Sequence, residues 1–148
     1  MVRSVFYFCL ASFLAFTVRA EVVDIDTGEL ARLRAAGVPV IDIRTAGEWR
    51  DSGIVEGSKL ITYVDDRGRI DQPAWLAKVQ EVAKRNQPVI VICRSGNRTK
   101  AASRFLSEQA GYQSVYNVKG GLSAWVNEGR PVASVASALV NCPANTRC

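Results

Sequence analysis

Cys93 ends a run of four β-branched residues, VIVI at 89–92, and is followed at once by Arg94, Ser95, Gly96, Asn97 and Arg98. A thiol set against two arginines, a glycine and two hydrogen-bonding side chains has the composition of an activated nucleophile. The alternative is a small buried core cysteine followed by a solvated turn, but a plain connector has no need of so many charged and polar groups. If PVIVIC (88–93) is a parallel strand, Cys93 stands at its carboxyl end, where open α/β sheets place their sites. A helix beginning a few residues later would aim its positive end at the same spot. Gly96, free to take dihedrals closed to other residues, would let several backbone N–H groups turn inward as an anion-binding nest.

The chain contains no histidine, which removes Ser-His-Asp and Cys-His activation and most zinc sites together. A free thiol is only a few per cent ionised at neutral pH. Making the thiolate the major species takes roughly 2.7 kcal/mol, which two or three charge-assisted N–H bonds and a helix terminus can supply. Arg94 and Arg98 would draw a small anionic substrate to it.

The elements that must position this loop follow from periodicity. Apolar, β-branched runs alternate with helical patterns, the order of an α/β domain with a mainly parallel sheet. Strands are expected at 22–25, 40–44, 59–64, 88–93 and 114–118, with VIVI a central strand covered on both faces. Asp26 with Glu29 signals a helix start, and TGELARLRAAG stops at Gly37. Pro73 opens PAWLAKVQEVAKRN (73–86), whose Trp75, Leu76, Val79, Val82 and Ala83 form an apolar stripe. NRTKAASRFLSEQAG (97–111) places Ala101, Ala102, Phe105 and Leu106 on one face, and GLSAWVNEG contributes Leu122, Trp125 and Val126. Trp75 and Trp125 are read as core.

The first twenty residues differ from the rest. A basic start at Met1–Arg3, an apolar run at 5–16, and Val18 and Ala20 at signal-peptidase spacing suggest a cleaved secretory signal over 1–20. The run from Val5 to Val18 has 14 residues, where a membrane span needs about 20, so no stable anchor is expected and the protein reads as periplasmic or secreted. One domain is expected over 21–131, with a small-residue-rich tail over 132–148. Arg3 and Arg19 account for two of the 19 basic residues, leaving 17 against 14 acids and a net charge of +3. So weak an excess, without a basic run, gives no case for nucleic acid. Beyond Cys9, the cysteines are Cys93, Cys142 and Cys148, and an odd count in an oxidising compartment suggests one pair and one free thiol. Cys142 and Cys148 could close on each other, a loop worth roughly 2 kcal/mol, or stay free.

Four stretches in order, IDIRTAGEWR (41–50), GIVEGSKLI (53–61), VICRSGNRTKAA (91–102) and YNVKGGLSAW (116–125), resemble the rhodanese family of sulfurtransferases, in particular its single-domain secreted members. The resemblance implies a five-stranded, mostly parallel sheet with helices on both faces. It implies a loop wrapped around the sulfur and a Cys93 that takes a sulfane sulfur from a donor such as thiosulfate, becomes a persulfide, and passes it to cyanide, a thiol or a protein acceptor. Arg94, Ser95, Gly96, Asn97 and Arg98 would then form the substrate cradle, Arg94 and Arg98 orienting the sulfonate. No cofactor or metal is implied. Asp42, Arg44 and Glu48 match the family's charged stretch: they either hold the strand end and the following helix near the site or form a surface ion pair of little consequence. Many relatives have a histidine where this chain reads Gly53-Ile54-Val55, so that histidine is not required here. Related phosphatases and arsenate reductases carry their loop arginine one residue later, at the position Thr99 occupies; the smaller bowl suits a sulfur atom better than a phosphoryl group. The other competing reading is a thiol-redox relay or non-turnover persulfide carrier, with Cys142 or Cys148 as resolving partner.

Overall fold

The computed structural model describes residues 21–136. The proposed leader at 1–20, and Cys142 and Cys148 with their possible disulfide, lie outside the described residues. One sheet holds the strands β1 (Glu21–Ile25), β2 (Val40–Asp42), β3 (Lys59–Leu60), β4 (Val89–Ile92) and β5 (Ser114–Val118), in the order β1-β5-β4-β2-β3. Every pairing is parallel, so each connection is a crossover, made by the helices α1 (Thr27–Ala35), α2 (Ala46–Ser52), α3 (Gln72–Val82) and α4 (Asn97–Arg104), and α5 (Gly121–Asn127) follows the last strand.

The central strand explains why the sheet is covered twice. All four residues of β4 are buried. Val89 and Val91 pack with Trp75 and Val79 of α3 and Ala102 of α4, whereas Ile90 and Ile92 pack with Leu30 and Leu33 of α1 and Leu122 and Trp125 of α5. An uninterrupted apolar run is the sequence form of a strand buried on both faces. Cys93, the residue after β4, continues the alternation into the α3–α4 side.

Several boundaries depart from the sequence pattern, each for a local reason. The second strand stops at Asp42 rather than 44 because the Asp42 carboxylate accepts the Arg44 N–H at 3.1 Å and turns the chain. The third ladder ends at Leu60, although Tyr63 N–H still reaches Ile43 O at 3.1 Å. α3 starts one residue earlier than Pro73, under an Asp71 N-cap, and ends at Val82. Beyond it the chain is claimed by other partners: Ala83 O accepts the Tyr112 hydroxyl at 2.8 Å and Arg85 O accepts Gln113 N–H at 3.0 Å. The helix expected over 97–111 is α-helical to Arg104 and then a π turn over Phe105–Gln109, closed by Ala110 N–H on Phe105 O at 3.0 Å. α2, with seven residues, is too short to show a periodic stripe; what marks it is a capping box between Thr45 and Glu48. At the start of the proposed tail, Ala133 exchanges two backbone hydrogen bonds with Ile54 at 2.8 and 2.9 Å.

Leu106 is fully buried on the α4 side of the sheet. Leu106→Ala is expected to cost about 2–5 kcal/mol, read as a lowered urea midpoint at unchanged m-value. Ile70→Ala, at a side chain 47% exposed, should leave the midpoint within about 0.5 kcal/mol. Equal effects would refute this placement of the core.

Candidate active site

Cys93 leaves the carboxyl end of β4 and its side chain is 1% exposed. The chain then turns through Gly96, which has φ +91° and is the N-cap of α4. That turn brings the Gly96 N–H to 3.2 Å from Cys93 Sγ. Thr99 Oγ1 stands 3.8 Å from the sulfur and donates its proton to Gly96 O at 2.8 Å. The first intrahelical bond is made by Lys100 N–H on Gly96 O at 3.3 Å. Asn97, Arg98 and Thr99 are therefore the first helical residues, whose N–H groups have no acceptor one turn back. Among the described residues, the N–H groups of Arg94 and Ser95 likewise find none.

This refines the nest expected from the sequence. One amide, that of Gly96, bonds the sulfur itself. The others expected to cradle it, at Arg94, Ser95, Asn97 and Arg98, remain unspent donors at the amino end of a helix whose first turn carries no acid. For Asn97 and Arg98 the reason is the position of the cap: Gly96 closes the turn onto the thiol, and the residues after it already run along the helix axis.

The loop is held from behind by the turn within YNVKGGLSAW (116–125), a stretch that entered the sequence reading only through the family resemblance, with no role for its residues. Gly120 and Gly121 both have positive φ, +71° and +57°, and the turn they make brings Leu122 N–H to Cys93 O at 2.8 Å and Ser123 N–H to Arg94 O at 2.9 Å. A Cβ on Gly121 would stand 2.3 Å from Cys93 O and 2.7 Å from the Arg94 carbonyl. Only glycine allows this approach. Thr99, noted in the sequence only as standing where a phosphatase loop has arginine, borders the sulfur at 3.8 Å, and a threonine inside a helical pattern carries no mark of that contact. A pair of adjacent glycines after a strand was the available signal for the first; none existed for the second.

Two ion pairs flank the loop. Arg44 is 1% exposed and all its donors are used: Nε and Nη2 bind the Asp42 carboxylate at 2.7–3.1 Å, Nη2 also reaches Gly53 O at 2.7 Å, and Nη1 reaches Ser52 Oγ at 2.7 Å and Glu48 O at 3.3 Å. Arg44 thus ties the end of β2 to the carboxyl end of α2; it is not a surface pair. The Glu48 side chain faces elsewhere. It accepts a bidentate fork from Arg98, with Nη1 at 2.7 Å and Nη2 at 2.5 Å, and the Thr45 N–H at 3.0 Å. The Arg98 fork, ahead of the Thr45 bond and against partial burial, holds the Glu48 carboxyl down to about 2 from an ordinary 4.5. Arg98 is in turn pushed up, first by the Glu48 hydrogen bonds and, among smaller causes, by its proximity to Cys93 and Asp42. Arg94 is exposed and, among the described residues, has no ionic partner. Of the two loop arginines, only Arg94 is free to meet an anion.

Comparison with known proteins agrees with this geometry. The model of the Rhodanese-like domain matches residues 26–128. The chain is 34% identical over 111 residues to Protein HIGH ARSENIC CONTENT 1, mitochondrial, of Arabidopsis thaliana, covering 74% of this chain and 63% of that one, so it spans less than two thirds of that relative. It is 32% identical over 120 residues to Thiosulfate sulfurtransferase 18 of the same plant, covering 78% of this chain and 87% of the relative. A rhodanese-related protein from Thermoplasma volcanium superposes with a TM-score of 0.56 at 27% identity, over 75% of this chain and 97% of that one.

Two outcomes follow from the geometry. Because Glu48 is held below its ordinary value, its contribution to stability is complete above about 4.5 and is lost as pH falls toward about 2. Urea unfolding of wild type and Glu48→Gln should therefore differ by a constant amount at neutral pH and converge through that window; a gap independent of pH would contradict the pairing. Gly121→Ala should cost at least about 1–2 kcal/mol in backbone strain alone and shift the amide resonances of 93–98. Unchanged resonances with an unchanged melting temperature would show that the clasp does not exist.

Proposed function

This chain belongs to the Rhodanese-like domain family, and we propose that it is a sulfurtransferase that carries a sulfane sulfur on Cys93. The observation that supports this most directly is the setting of the thiol: Gly96 N–H on its sulfur at 3.2 Å, at the amino end of α4, whose first N–H groups have no intrahelical acceptor. Such an environment offers hydrogen-bond donors and a helix amino end, rather than a side-chain base, to a sulfur that carries charge during transfer, in a chain that contains no histidine.

With thiosulfate as donor, the Cys93 thiolate attacks the outer sulfur. The S–S bond of thiosulfate breaks, sulfite leaves with the electron pair, and Cys93 becomes a persulfide anion. Cyanide, or a thiolate, then attacks the terminal sulfur; the persulfide bond breaks and the Cys93 thiolate returns. No external oxidant or proton donor enters either half. The persulfide's charge rests on its outer sulfur, and the N–H groups of Arg94, Ser95, Asn97 and Arg98 are the donors available to stabilise it. Arg94 supplies the positive charge that draws the sulfonate end of the donor. Asp42, Arg44 and Glu48 act through position, fixing α2 and Arg98 beside the loop.

The burial of Cys93 also favours single-atom transfer over a redox relay, since a thiol 1% exposed gives a second protein cysteine little access. Thr99 at the position where a phosphatase would carry arginine counts against phosphoryl chemistry. On the leader-like residues 1–20, the protein works in the periplasm or outside the cell.

Thiosulfate should add the mass of one sulfur atom to the peptide containing Cys93, and cyanide should discharge it as thiocyanate. Cys93→Ser should abolish label and product together. Thiocyanate formation surviving in that variant would refute the proposal, and a label that no acceptor discharged would replace transfer by storage.

A further inference from the structure

We infer that Lys119 determines donor specificity at the Cys93 site, acting with Arg94 as the second cation that holds a dianionic sulfur donor before the thiol. The inference rests on the sulfur-transfer reading. Parallel pairing sets Val89, Ile90 and Val91 of β4 beside Val115, Tyr116 and Asn117 of β5. Continued by two residues, that register brings Lys119 level with Cys93. Lys119 opens the turn that follows β5, but its N–H still bonds Ile25 O at 2.9 Å, which keeps its main chain beside the sheet, where neighbouring strands lie about 4.8 Å apart.

The faces agree as well. Val89, Val91, Cys93 and Val115 belong to one core cluster, and Ile90, Ile92 and Val118 to the other. Alternation therefore directs the Lys119 and Cys93 side chains to the same side of the sheet. The loop runs close to this end of β5: a Cβ on Gly96 would stand 3.3 Å from Gly120 N and 3.5 Å from Val118 O.

Charge accounting then selects Lys119. Arg98 is the loop cation that sequence proximity suggests, but its guanidinium is engaged by Glu48 on both Nη atoms. Asp24, on the adjoining β1, is bonded to Asn117 Nδ2 at 2.7 Å. Lys119 is exposed, and among the described residues its ammonium has no hydrogen bond or ion pair. With Arg94 it supplies two positive charges that, among the described residues, enter no ion pair, beside a helix amino end whose first turn carries no acid. A donor with two negative charges, its sulfur toward Cys93 and its oxygens toward these cations, matches that arrangement; an uncharged organic polysulfide gains nothing from it.

Cys93→Ser, which cannot turn over, serves as the parent for a thiosulfate titration followed by amide shifts of 93–98 at fixed ionic strength. Adding Lys119→Gln should weaken binding about fivefold, the size of one screened charge contact, and Lys119→Arg should restore it to within about twofold. Lys84→Gln, which removes the same charge beyond the carboxyl end of α3, should leave binding unchanged. The inference is overturned if Lys119→Gln binds like its parent, if neither binds, or if Lys84→Gln weakens binding equally. In the Cys93 protein, Lys119→Gln should raise KM for thiosulfate by the same factor at a kcat within about twofold. If thiosulfate leaves no sulfur on Cys93 while Lys119→Gln still loosens binding, the transfer reading fails and the anion-binding role of Lys119 stands.

Discussion

The carbonyl oxygens of Cys93 and Arg94 are each met by an amide from the start of α5, at 2.8 and 2.9 Å, and the rest of the site depends on that clasp. It fixes the main chain at the point where a strand must become a loop and then a helix within a few residues. A free loop of this length would sample many conformations, and each residue fixed costs roughly 1–2 kcal/mol of conformational entropy. Two backbone hydrogen bonds, made possible by a glycine with no Cβ to collide with Cys93 O, hold the loop in one conformation before any ligand arrives. Such preorganisation lets N–H dipoles act on a developing charge without reorganising.

The charged side chains around the loop divide into an inner and an outer set. Asp42 and Arg44 are removed from water, and a pair so placed persists only if every donor and lone pair is occupied; Arg44 meets this through Asp42, Gly53, Ser52 and the Glu48 carbonyl. Its work is mechanical, joining β2 to α2. Glu48 is then presented by a capped helix to Arg98, and their mutual neutralisation keeps one of the loop's two arginines out of the chemistry while anchoring the first turn of α4. Positive potential at the mouth is left to groups without such partners.

This arrangement fits the demands of sulfur transfer. Attack on a sulfane sulfur needs a thiolate and a leaving group that departs as an anion, and neither needs a proton shuttle. Stabilising charge at fixed positions is therefore most of what the protein has to do, and backbone amides at a helix terminus serve that purpose. The depth of Cys93, bordered by Thr99 and Gly96, limits what can follow the first sulfur into the loop.

The composition and order of residues determined a good deal by themselves. An uninterrupted VIVI required a strand buried on both faces, the strand-helix alternation required parallel crossovers, and a thiol followed by Arg-Ser-Gly-Asn-Arg marked the site, because these are local properties of hydrophobic pattern and dihedral freedom. Tertiary structure alone decided the rest. β2 was cut short by Asp42 and α3 by the partners of Ala83 and Arg85, and α2 escaped a periodicity test because seven residues hold too few turns. That Arg98 belongs to Glu48, fifty residues away in sequence, and that Lys119 comes level with Cys93, follow from strand order and register. Those are set by the packing of the whole chain, and no short window of sequence contains them.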